Sequence, residues 1–190
     1  VSDDLRVQCV DHPGGARSYL VLDIASGRGH VRADRFLAGH GEGTQRTYAH
    51  HLVDHLRWLR ATGHSEERIG IADLARYMAL CGTQHSGPFG AAWRATSLSS
   101  SALAVRAACL KGYYLDVTTR EDVNPSLRGV LSARRLATGR DRDRSMLGHL
   151  STSVASNPLS HGAPPRRHPR ILPTGPPRRC SPRSARPATG

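Results

Sequence analysis

The sequence predicts an all-α fold, a small four-helix bundle followed by a disordered Pro/Arg-rich tail. Three observations carry this expectation. Apolar residues recur every three or four positions in successive segments between residues 31 and 115, the period of amphipathic helices. No alternation of strand-like and helix-like segments interrupts them. Residues 161–190 hold eight prolines, seven arginines and no acidic residue, too little apolar surface to offset the entropy of ordering them.

Residues 1–30 stand apart as an N-terminal segment. Their one apolar run, "SYLVLDI", lies between "HPGGA" and "SGRG" and suits a strand or a brief helix equally. "VRADRFLAG" reads as a first helix ending at Gly39, and "HGEG" links it to the next. The stretch "TQRTYAHHLVDHLRWLRATG" (44–63) is the strongest helix signal. Thr44 is the expected N-cap and Gly63 the left-handed stop. Tyr48, Leu52, Leu56 and Leu59 form one stripe that should face a core. At about 100° per residue, Arg46, His50 and Arg57 fall in a narrow arc opposite it, so the helix has a buried side and a basic outer side.

After "GHSEER", Ile71, Leu74, Tyr77, Met78 and Cys81 mark a shorter amphipathic helix, and "CGTQHSGPFGAA" a Gly-rich loop. The fourth helix should run from about Leu98 to Leu115. Its apolar residues surround the cylinder and only Arg106 and Lys111 are charged, the pattern of a central helix. Asn124-Pro125 reads as the breaker that follows. The helical domain therefore spans residues 31–126, a linker or ragged helix 127–160, and the disordered tail 161–190.

Charge is unevenly spread. Residues 1–30 carry 3 basic and 4 acidic groups, residues 31–130 carry 12 and 9, and residues 131–190 carry 12 and 2. The basic excess sits in the last third, so the overall balance says little about the helical domain. Four scattered cysteines contain no CxxC pair, which fits reduced thiols in a cytoplasm rather than a disulfide framework or a zinc site. The acidic start "VSDDLRV" is unlike a signal peptide, and no apolar run is long enough to span a bilayer. A soluble, cytoplasmic protein is expected.

Several segments, taken in order, carry a resemblance. "ADRFLAG", "GTQRTYAHHLVDHLRWLRATG", "IGIADLARYMA", "SSSALAVRAACLKGYYLDV" and the closing "VNP" are similar to the successive helices of one domain. That domain is the N-terminal core-binding domain of tyrosine recombinases, the phage-integrase family of site-specific recombinases. The resemblance covers about residues 31–126. It implies a SAM-like helical bundle that clamps one side of double-stranded DNA, while a second domain closes the other side. In that family the second domain supplies a tyrosine nucleophile, and two arginines, a lysine and a His/Trp position stabilise the transition state.

The chain departs from the family after residue 126. "RRHPRILP" (166–173) resembles the lead-in to the catalytic domain, but "TGPPRRCSPRSARPATG" follows it. There is no His-x-x-Arg and no tyrosine after Tyr114. No catalytic residue is therefore expected and no strand cleavage. A run of Pro, Arg, Gly, Ala, Ser and Thr is what a GC-rich gene yields out of frame, so the expectation is a truncated or frameshifted recombinase with the shift near Pro173.

The expected DNA contacts are Thr44, Arg46, Thr47, His50, Arg57, Arg106 and Lys111. Neither a cofactor nor a metal is expected. His51 and His55 have the i, i+4 spacing of a metal pair, but no third ligand accompanies them, and they read as a packed or exposed histidine pair. The alternative function is a helical protein-interaction module whose basic arc is only solvated.

Overall fold

In a computed structural model, which describes residues 5–83, 98–138 and 152–160, the N-terminal segment forms strands. The all-α expectation is thereby overturned: the fold is mixed α/β, an antiparallel three-stranded sheet with five helices and a second, small sheet. Most of the Gly-rich loop, residues 139–151 and the Pro/Arg-rich tail lie outside the described residues.

Strands β1 (Leu5–Asp11) and β2 (Arg17–Asp23) form a hairpin in which Val7 opposes Val21 and Leu5 opposes Asp23. Its turn needs Gly14 and Gly15, both at positive φ, which side chains resist. The physical reason for strands is the alternation along each run. Leu5 and Val21 are fully buried and Val7 and Tyr19 pack beside them, while Arg6 points to solvent. β3 (Arg28–Gly29) adds a short third strand beside β2.

Helix α1 (Val31–Ala38) starts with His30 accepting from the Ala33 N–H, and its Asp34 carboxylate accepts the Val21 N–H at 2.8 Å. A side chain at Gly29 would crowd that carboxylate and force Asp34 to shift. Helix α2 (Glu42–Thr62) begins earlier than expected. Gly41 is its N-cap, and Thr44 lies inside the first turn. Gly63 ends it in the left-handed conformation, at φ 70°.

Helix α3 (Ile71–Thr83) follows, with Asp73 accepting from the Gly70 N–H. Helix α4 (Ser100–Arg120), capped by Ser99, packs against α1, α2, α3 and the next helix. It runs past Leu115 because Val117 and Thr118 are buried and continue its inner face. Asn124-Pro125 does not simply break the chain: it starts helix α5 (Pro125–Ser132). Asn124 caps the Leu127 N–H, and Pro125 sits at the first turn, where its missing N–H costs nothing. Strands β4 (Arg134–Leu136) and β5 (Ser153–Ala155) then pair, and the following Leu159 is buried in the same core.

One core holds these elements together. α2 lies between the hairpin on one side and α4 on the other. Ion pairs brace the α1–α4 contact: Arg32 and Arg35 both engage Glu121, and Arg35 also engages Asp116.

Candidate nucleic-acid interface

An amphipathic helix buries one stripe, but a helix between two layers buries two. In α2, Leu52, Leu56 and Leu59 are buried as expected and Tyr48 is half-buried. Ala49, Val53 and Trp58 are buried as well. The basic arc therefore does not face open solvent along its whole length; its C-terminal half meets the hairpin.

The seven expected contact residues divide accordingly. Thr44, Arg46, Thr47 and His50 are exposed on the first turns of α2. Thr47 donates back to the Gly43 carbonyl at 3.1 Å. The neighbouring Gln45 accepts from the Tyr19 N–H at 3.1 Å, so these first turns lie beside the hairpin. Arg57, expected on the outer face, is half-buried and donates from Nη2 to the Leu5 carbonyl. Arg60 reaches Asp23 at 2.6 Å. Two arginines on neighbouring turns thus grip the two residues of one cross-strand pair, Leu5 and Asp23.

Lys111 is half-buried and donates to the Ser156 carbonyl at 2.5 Å, tying α4 to the segment after β5.

Arg106 departs furthest from its expected surface position. It is 1% exposed. Its Nη2 pairs with the Asp54 carboxylate at 2.6 Å, and Nη1 donates to the Tyr77 hydroxyl at 2.7 Å and the Cys81 sulfur at 3.0 Å. Its Nε donates to His51 Nδ1 at 3.2 Å, which puts the proton of a neutral His51 on Nε2. Burial opposes the charge, but Tyr77, Cys81 and Asp54 outweigh it, and the guanidinium pKa stands above its ordinary value. A charge on a central helix is legible in sequence; its four partners, drawn from α2 and α3, are not.

Of these, His51, Asp54 and Arg106 line an open cleft of about 440 Å³ between β1 and α2, with α4 behind it. Arg6, His50, His51, Asp54, Arg57 and Arg106 supply its polar wall, and Val7 and Val53 its apolar one. Among the described residues, three arginines against one aspartate make the lining cationic. Three of the expected residues, His50, Arg57 and Arg106, come together here. Arg6, His51 and Asp54 were not expected, and Arg6 in particular has meaning only once β1 is known to be a strand.

His51 and His55 take separate partners. His55 is fully buried, bonds the Tyr114 hydroxyl at 2.7 Å and stacks beside Trp58. Burial, with the Arg106 charge adding, pulls its pKa down to about 3. None of the five tyrosines is exposed, and burial raises Tyr77, Tyr113 and Tyr114 well above the ordinary phenol value. Among the described residues no helix is long and apolar enough to cross a membrane. Comparison with protein-family models, with curated proteins and with solved structures returns no match to this chain.

Proposed function

We propose that the chain binds double-stranded DNA through the exposed first turns of α2 and the cationic cleft that continues them. One observation carries the reading: Arg46 and His50, one turn apart and exposed, lead into a cleft where Arg6, Arg57 and Arg106 gather on the same side of α2. Arginine, histidine and threonine side chains in such a row suit backbone phosphates, which position a protein on a duplex without reading its sequence. The resemblance of residues 31–126 to recombinase core-binding domains supports the same partner. Affinity of this kind comes chiefly from phosphate neutralisation and weakens with salt.

Strand cleavage is not part of the proposal. An attacking tyrosine must reach a phosphodiester, and every tyrosine here is buried or half-buried. Amide shift mapping of the full chain with a short duplex tests the binding surface. Perturbations are expected at residues 44–50 and 5–7. Silence at residues 44–50 under saturating duplex would refute the reading, whatever the arginine-rich C-terminal residues do. The same titration on a nicked suicide duplex should leave no covalent adduct.

A further inference from the structure

Within the cleft between β1 and α2, and resting on the duplex-binding reading, we propose a seat for a single phosphate group, occupied by a phosphodiester of the nucleic-acid backbone. The lining selects an anion, since Arg6, Arg57 and Arg106 outnumber Asp54. Arg106 does not reach out to the ligand. Its bonds to His51, Tyr77, Cys81 and Asp54 fix it in the interior, where it acts as a charge behind the cleft wall. Arg57 is likewise fixed, by its bond to the Leu5 carbonyl. The groups placed to touch a ligand are Arg6, exposed on β1, and His50, exposed on α2.

A preset cationic wall with two exposed donors on opposite sides matches an oxyanion. The volume, about 440 Å³, is far larger than one phosphate needs and the cleft is open. A phosphate carried on a chain fits that shape better than a small free anion. Val7, half-buried on β1, offers apolar surface that the adjoining sugar carbons would cover.

Asp54 gives the proposal a distinctive sign. Among the described residues it is the one acidic group lining the cleft, so its neutralisation should strengthen anion binding although it removes a charge from the protein's own ion pair.

The test is a titration of the full chain with inorganic phosphate against chloride at matched ionic strength, read from the arginine Nε–Hε and histidine ring signals. Saturable shifts are expected at Arg6 and His50, with unsaturable drift at Arg46. Asp54→Asn should tighten phosphate by about threefold to tenfold, the effect of one charge in an open, partly solvated cleft. Arg6→Glu, an exposed reversal on β1, should abolish the saturable phase. Drift without saturation, retention in Arg6→Glu, or unchanged or weakened binding by a folded Asp54→Asn overturns the proposal. Should Asp54→Asn fail to fold, Arg6→Glu decides alone.

A parallel duplex titration separates the two readings. Phosphate binding in the cleft without duplex binding assigns the seat to a free phosphate ester and removes the duplex reading. Duplex shifts at residues 44–50 without a phosphate response at Arg6 leave that reading standing and remove the seat.

Discussion

Replacing Arg106 with alanine should destabilise the fold by about 3–5 kcal/mol, the range for breaking a buried ion pair by removing one partner. The substitution takes the 2.6 Å ion pair from Asp54 and hydrogen bonds from His51, Tyr77 and Cys81 in one step. Asp54 keeps partial contact with solvent, at 22% side-chain exposure, which places the cost toward the lower end. With total stabilities of about 5–15 kcal/mol usual for a domain, much of the folded margin would go. Arg106→Met separates the two components of the loss, because it retains volume while deleting charge and donors. Urea denaturation of parent and both variants measures the effect. A cost below about 0.5 kcal/mol, the ordinary size of an exposed substitution, would mean that Arg106 does not hold the interior as described.

The second large effect is a loss of stability in acid that originates at His55. Its folded-state pKa is about 3 against an ordinary value of 6.5, because the ring is fully buried and Arg106 adds a like charge nearby. Above pH 6.5 the ring is neutral in both states and its contribution to stability is complete. As the pH falls below 6.5, the unfolded chain takes up a proton that the folded chain refuses. Each further unit costs about 1.4 kcal/mol, approaching roughly 5 kcal/mol near pH 3. His55→Gln retains a polar partner for Tyr114 and does not titrate. Denaturation of parent and variant between pH 7.5 and 4 should show the parent's slope steeper by about 1.4 kcal/mol per unit below pH 6.5. Parallel curves would place a protonated His55 in the folded core and contradict the packing around it.

Both effects centre on residues that local sequence patterns describe poorly, and the reason is the same. Periodicity reports one buried face. The stripe of Leu52, Leu56 and Leu59, the stop at Gly63 and the apolar girth of α4 were legible because each depends on residues within one helix. The hairpin was not, although Leu5, Val7, Tyr19 and Val21 alternate as a half-buried sheet requires. β1 and β2 are only seven residues each, and "SYLVLDI" places apolar residues on both faces of β2, which hides the period of two. Missing the hairpin also misread Arg57, since what lies opposite the leucine stripe is solvent only if nothing else packs there. Arg106 illustrates a second limit. A lone arginine on an apolar helix reads as an exposed charge, whereas its partners come from positions 51, 54, 77 and 81 and assemble only in three dimensions. Asn124-Pro125 shows a third. The same dipeptide serves as a stop or as a cap followed by a first helical residue, and only the packing of Leu127 and Leu131 decides which.

Duplex binding by the full chain across a salt series, compared between the parent and Arg46→Ala, tests the proposed DNA contact most directly. Arg46 is exposed on α2 and outside the lining of the cleft, so its removal should leave melting within about ±0.5 kcal/mol of the parent. The arginines at the C-terminal end of the sequence contribute equally to both proteins, and the difference between them isolates α2. Loss of one phosphate contact predicts weaker binding on every duplex and a plot of log affinity against log salt flatter by about one unit. Identical affinity and slope in parent and variant would contradict the claim and reduce the basic face of α2 to a solvated surface.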